Sequence, residues 1–186
     1  MGTIEEIQMN SDMMNLLMSS GGFSRTNNYK VEITLPPALQ ADYQDIIEMV
    51  NLSCASADIP GVALDTWKVH NGPSLEPEQA NSSYQQDVDL LFYVSKSFIE
   101  RVLFKDWKDL AVDDVTRVVG YYDDYIGEII VWPMRRGSDP EDSKLIGCRL
   151  TQAYPKFIGK IQYSYGAEGE IAMLPVTFTY FNHEFI

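Results

Sequence analysis

Asp87-Val88-Asp89-Leu90-Leu91-Phe92-Tyr93-Val94, followed two residues later by Ser97-Phe98-Ile99-Glu100-Arg101-Val102-Leu103-Phe104-Lys105-Asp106-Trp107-Lys108-Asp109-Leu110, is where the fold is decided. The first run reads as a strand, and Asp87 and Asp89, two apart, share one face of it because strand side chains alternate. In the second run the period changes. Phe98, Ile99, Val102, Leu103, Trp107 and Leu110 form a stripe at helical spacing. Ser97 with Glu100 three residues later has the form of a capping box, each side chain satisfying a backbone N–H that the first turn leaves open. Lys96, Arg101, Lys105 and Lys108 place four of the 14 basic residues on the opposite face. That face is read as solvated, in preference to a docking surface for an acidic partner.

On the N-terminal side, Tyr29, Val31, Ile33 and Leu35 alternate with polar residues until Pro36-Pro37 stops the run, which predicts a half-buried strand. Glu48 to Ala57 reads as a second strand, closed by Asp58-Ile59-Pro60-Gly61. Residues 62–84 read as a strand tip holding Trp67 and Val69, then a long polar loop of a length that is usually functional. Ile4, Ile7, Met13, Leu16 and Leu17 predict a helical segment ended by Gly21-Gly22. Met9, Met13, Met14 and Met18 make its face suited to irregular contacts, on its own domain or on a neighbour. On the C-terminal side, a turn region at 111–123 precedes four predicted strands: Tyr125 to Trp132, Lys144 to Gln152, Phe157 to Tyr165 and Ile171 to Phe181. Met134 to Ser143 reads as a charged hairpin turn.

With no βαβ alternation, the expected fold is mainly β (β+α): two packed antiparallel sheets forming a sandwich or partly closed barrel, one flanking helix and an N-terminal helical segment. The expected division is an arm over 1–22 and one β domain over 23–186.

Composition sets limits on function. The 186 residues are 45% hydrophobic and 12% aromatic, which excludes a disordered chain. Acids outnumber bases 27 to 14 for a net charge of -13, which argues against binding nucleic acid or anionic lipid, since both require clustered Lys and Arg. Cys54 and Cys148 lie far apart with no cluster of ligands, so neither a zinc site nor a disulfide is expected. No secretory signal or membrane span is read, and a reducing cytosol is the expected compartment for maturation. The sequons at Asn51 and Asn81 are taken as chance matches.

Chemistry is mostly missing. His70 and His183 have no Ser, Cys or Asp at motif spacing, and Gly-x-Ser-x-Gly, His-Glu-x-x-His and a phosphate loop are absent. Asp87 and Asp89, Asp113-Asp114 and Asp123-Asp124 read as a solvated negative face before inter-subunit salt bridges, and before a cation site or metal-assisted hydrolysis. Tyr121, Tyr122, Tyr125, Trp132, Tyr154, Tyr163 and Tyr165 read as core and interface packing rather than a stacking platform. No catalytic, cofactor or metal residue is assigned. A small β-barrel with an internal cavity for an apolar ligand is the competing class.

Several segments, in order, resemble the tail tube protein family of contractile-tailed bacteriophages, itself similar in fold to the type VI secretion tube protein. They are Phe23 to Ile33 with Arg25-Thr26-Asn27, Cys54 to Pro60-Gly61, Phe104-Lys105-Asp106-Trp107, Tyr121-Tyr122-Asp123-Asp124-Tyr125, Ala153-Tyr154-Pro155, Glu170-Ile171 and Val176 to Tyr180. The resemblance runs from about residue 23 to 182. Departures are Thr26 where proline is frequent, Tyr154 in place of the more usual Phe, and an insert at Pro36 to Asp45. The resemblance implies a non-enzymatic virion component without cofactors: hexameric rings, stacked into a tube, whose inner sheets join into one barrel. The implied partners are further copies, tail sheath and baseplate proteins, and genomic DNA that passes without specific binding, with no membrane. The implied location is the virion tail, after assembly in the host cytoplasm. A tube-initiator ring at the baseplate is the alternative within the family. Lumen-facing acids are expected at Asp87, Asp89 and Glu128. Ring stacking is expected at Trp67, His70 and Asn71, in the polar loop.

Overall fold

The computed structural model describes residues 14–15, 26–68, 78–85, 87–135, 144–166 and 169–186. Its first strand, β1 (Tyr29–Thr34), buries Val31 and Ile33 and ends before the proline pair, as the alternation predicts. Next comes a helix, α1 (Pro37–Leu52), which holds most of the segment read as an insert. Pro37 sits in its first turn, where the missing N–H costs nothing and the fixed φ already suits a helix. Leu39, Tyr43 and Val50 are buried, with Ile46 and Ile47 half-buried beside them. The proline pair that stops a strand therefore also starts a helix. The strand expected over Glu48 to Ala57 is corrected accordingly: its first five residues complete α1, and only β2 (Cys54–Ala57) is extended.

The expected strand tip and long loop at 62–84 are also corrected. The chain forms β3 (Val62–Lys68) and β4 (Glu78–Gln85), paired antiparallel from Val62 opposite Gln85 to Lys68 opposite Glu78. Among the described residues these two strands pair with no others. β5 (Val88–Tyr93) follows and buries Val88, Leu90 and Phe92.

The central helix is α2 (Ile99–Ala111), and its start differs from the expected capping box. Phe98 occupies the cap with a left-handed φ of 57°, and Glu100 reaches back past Ser97 to accept from the Ser95 backbone N–H at 3.1 Å and its hydroxyl at 2.8 Å. Ser95 is thus the donor of both bonds, and the reciprocal half of a capping box is not made. Glu100 is buried, and the apolar stripe turns so that Leu103, Phe104 and Trp107 point inward while Phe98 and Val102 stay exposed.

The short α3 (Tyr122–Tyr125) leads into β6 (Gly127–Pro133), and Met134 bridges to Lys144 across residues that include the undescribed 136–143. Two of the expected strands are one: β7 (Cys148–Ile158) runs through Ala153-Tyr154-Pro155, and residues 159–165 are not strand. β8 (Met173–Thr179) and β9 (Asn182–Phe185) both pair along β7.

The seven strands other than β3 and β4 make one antiparallel sheet in the order β1-β6-β7-β8-β5-β2, with β9 also on β7. β7 holds its two halves together. Cys148 and Leu150 are buried, then Ala153 and Pro155, so the alternation slips by one residue at Gln152, whose φ is 54°. The extra residue is a bulge that re-aims the strand and keeps both halves facing the same core. The free edge strands come close without a ladder. Tyr29 Oη donates to the Cys54 carbonyl of β2 at 3.1 Å, and beside it the Ile33 N–H donates to Asn51 Oδ1 in the last turn of α1 at 3.1 Å. This is the expected mainly β sandwich, open at one seam, with α1 as a second flanking helix.

Phe104 fills the interior against Phe92 and Phe178, at ring distances of 4.8 and 5.8 Å, and Trp107 lies 5.9 Å from Phe178. The Trp107 indole donates to the Tyr125 carbonyl at 2.7 Å. A Cβ on Gly127 would stand 2.7 Å from the Trp107 ring and 2.4 Å from the Thr34 carbonyl oxygen, so close approach of β6 requires glycine there. Of the expected N-terminal helical segment, all but residues 14 and 15 lies outside the described residues, and those two are helical.

Candidate assembly surfaces

Three surfaces stand out beyond the core: the outward face of the sheet, the β3–β4 hairpin and a groove at one end of the strands. The outward face is set by the same alternation that buries the core. Asp87 and Asp89 flank buried Val88 and are both exposed, as the two-residue spacing predicts. Glu128 is on β6, separated from β5 by β7 and β8, so the three acids do not form one cluster.

Each acid has a partner. Lys156 Nζ donates to Asp87 at 2.6 Å, Thr177 Oγ1 donates to Asp89 at 2.6 Å, and Arg149 lies 3.3 Å from Glu128 and 3.0 Å from Glu184. The hydrogen bond to Asp87 raises the Lys156 ammonium above the ordinary lysine range. On β1, Lys30 meets Glu32 at 2.7 Å, Trp132 Nε1 donates to it at 2.9 Å, and Lys144 lies 3.3 Å away. Burial pushes the Glu32 carboxyl up, but the hydrogen bonds from Lys30 and Trp132 outweigh it and hold the group below its usual value.

The basic face of α2 is likewise engaged internally. Lys105 and Lys108 pair with Asp109 and Asp114, and Arg101 Nη1 donates to the Gly159 carbonyl at 3.2 Å. Asp113 turns the following loop by accepting from the Val115 and Thr116 backbones and the Thr116 hydroxyl. Among the described residues, no group of three or more His, Cys, Asp or Glu could hold a metal ion. No described helix is long and apolar enough to cross a membrane. The expected aromatic packing is present at Tyr122, Tyr125 and Tyr154, which meet edge-on at 5.1 to 6.4 Å.

Trp67, expected at the stacking loop, lies on β3 opposite Gln79, while His70 and Asn71 fall outside the described residues. On β3, Val62 and Leu64 share one face and are 60% and 63% exposed.

The groove, of about 1100 Å³, lies on the outward face of β5, β7 and β8 where β7 leaves the sheet. Leu91, Tyr93, Phe157, Met173 and Pro175 line it. These residues are absent from the predicted sites. Their signal was present, since large apolar residues stand at the outward positions of strands whose inward positions are already apolar.

Comparison with known proteins agrees with this construction. The family model for the phage tail tube protein matches residues 24–186, and the chain belongs to that family. The family is a structural one. The fold is shared with a chain of an extracellular contractile injection system, the PVC sheath-tube complex in its extended state, at a TM-score of 0.60 and 13% identity over 88% of this chain and 91% of that one. It is shared also with a chain of the anti-feeding prophage baseplate (TM-score 0.62, 9% identity, 88% and 95% covered) and one of the anti-feeding prophage tube terminating cap (0.61, 13%, 88% and 91%). No curated protein matches the sequence.

Proposed function

We propose that this chain is the shaft subunit of a contractile tail tube. Six copies close a ring, rings stack lengthwise, and the resulting channel conducts the genome during ejection. Tail sheath surrounds the tube, and baseplate proteins meet its end. The subunit is assembled in the host cytoplasm and resides in the virion tail. Residues 1–22 act as an arm and 23–186 as the tube domain.

The observation that carries this reading is the β3–β4 hairpin. A lone two-stranded hairpin is marginal in water, and among the described residues this one pairs with no other strand, which supports a role for other copies in holding it. Trp67, His70 and Asn71 serve the contact between rings. Asp87, Asp89 and Glu128 face the lumen, where a net negative surface avoids the multiple phosphate contacts that would retain DNA. The likeness to a baseplate chain supports a second role, as initiator ring of the same tail. A monomeric ligand-binding barrel is disfavoured because Phe92, Phe104, Trp107 and Phe178 fill the described interior.

Native mass spectrometry with electron microscopy of the purified protein tests this. The expected result is sixfold rings that stack into tubes as concentration rises. A strictly monomeric protein at every concentration overturns it.

A further inference from the structure

Tyr93 joins two features at one end of the sheet. Its exposed side chain lines the groove, and its N–H donates to the Ser53 carbonyl at 2.8 Å, beside the start of β2. The start of β1 lies there too. Tyr29 Oη bonds the Cys54 carbonyl, and while burial is the main reason the Tyr29 hydroxyl is raised, Cys54 and Tyr93 add to it. The chain that precedes β1 is therefore tethered at the groove's end of the sheet. From β2 across β5 and β8 to β7 is three strand spacings, roughly 15 Å. Residues 19–28, ten residues, span up to roughly 33 Å when extended. Everything before Ser19 can thus reach the far wall of the groove on its own subunit.

The groove presents a continuous apolar surface. Phe157 and Ile171 are both 61% exposed, and Met173 is exposed beside them. Surface of this kind marks a contact site. Its volume of about 1100 Å³ exceeds the roughly 300–1000 Å³ of small-ligand pockets and suits a row of side chains. Before β1 the sequence supplies such a row. Met9, Met13, Leu16 and Leu17 fall on one face at helical spacing, the pattern of a helix that lays its apolar side into a groove. Residues 14 and 15 are helical and exposed, and they lie off that face. Methionine adapts to irregular walls. A short tether holds a segment at an effective concentration of about millimolar, so at micromolar subunit the chain's own segment outcompetes that of a second copy.

We propose that the groove on β5, β7 and β8 is the seat of residues 9–18 of the same chain, with Leu16 and Leu17 against Phe157 and Met173. The occupant covers the exposed apolar end of the sheet within one subunit. This goes beyond the tube reading and does not depend on it.

The full chain carrying Phe157→p-benzoylphenylalanine is irradiated in dilute solution and in assembled particles, and the adducts are mapped by peptide mass analysis. Adducts to residues 9–18 of the same chain are expected in both, leaving the product at subunit mass, and exceeding those from the same probe at exposed Tyr165. Leu16→Asp with Leu17→Asp should lower this adduct at least about tenfold, because two apolar anchors are lost. The probe at Met173 should report the same adduct and serves if the Phe157 variant does not fold. Adducts that join two copies overturn the assignment in favour of a second copy. Adducts confined to the strands around the probe, or unchanged by the Leu16 and Leu17 substitutions, overturn it as well. The dilute measurement needs neither rings nor tubes, so its failure is distinct from failure of the tube reading.

Discussion

β5 and β3 are strands of six and seven residues, yet they are stabilised in different ways. β5 has β8 on one side and β2 on the other, and it buries Val88, Leu90 and Phe92 at alternate positions under Phe104. Among the described residues β3 has a single partner strand, and it exposes Val62 and Leu64. Side-chain alternation fixes register only where one face is buried. The body of the subunit is thus specified by its own core, while the hairpin carries strand edges that no other described strand pairs and an exposed apolar pair, Val62 and Leu64. That division suits a component that must be a folded object before assembly and a connector after it.

The contrast is sharpest in stability. Trp107→Ala removes a fully buried indole and its hydrogen bond to Tyr125, and should cost about 3–5 kcal/mol in urea unfolding of the isolated subunit. Leu64→Asn on the hairpin should change that value by no more than about 0.5 kcal/mol, as exposed substitutions generally do. Comparable losses for the two would remove the distinction between them.

A smaller effect lies on the alkaline side. Burial, then the hydrogen bond it donates to Asp106 at 2.5 Å, pushes the Tyr43 hydroxyl up to about 12 from 10.0. The folded state therefore holds this proton more tightly than the unfolded chain. The associated stability is complete below pH 10 and declines as pH rises from about 10 to 12. Tyr43→Phe should flatten that part of the thermal-unfolding profile, while substitutions on β3 leave it unchanged. On the acid side Glu32 works in the opposite sense. Its carboxyl is held below the usual 4.5, so its contribution is present at neutral pH and is lost as the pH falls below that value.

Legibility in the sequence followed the same boundary. β1, β5, β6 and β8 showed themselves through alternation or apolar runs, because each has a buried face. The hairpin did not: Ala80-Asn81-Ser82-Ser83 on β4 reads as loop since no core imposes a pattern on it. α1 was hidden by Pro36-Pro37, read as a stop when Pro37 is a start, although Leu39, Tyr43, Ile46, Ile47 and Val50 carry the helical period. β7 looked like two strands because Gln152 inserts a bulge and Pro155 lies within it, both unusual inside a strand. The outward pair Asp87 and Asp89 followed from spacing alone. Their neighbours Lys156 and Thr177 come from strands distant in the chain, so those contacts could not be read locally.

Hydrogen exchange on the hairpin amides, measured in dissociated subunits and in assembled particles, tests the central claim most directly. The expected result is strong protection of β5 and β8 in both states, with β3 and β4 protected only after assembly. Hairpin amides protected equally in the isolated subunit would contradict it, because the strands would then be complete without a second copy.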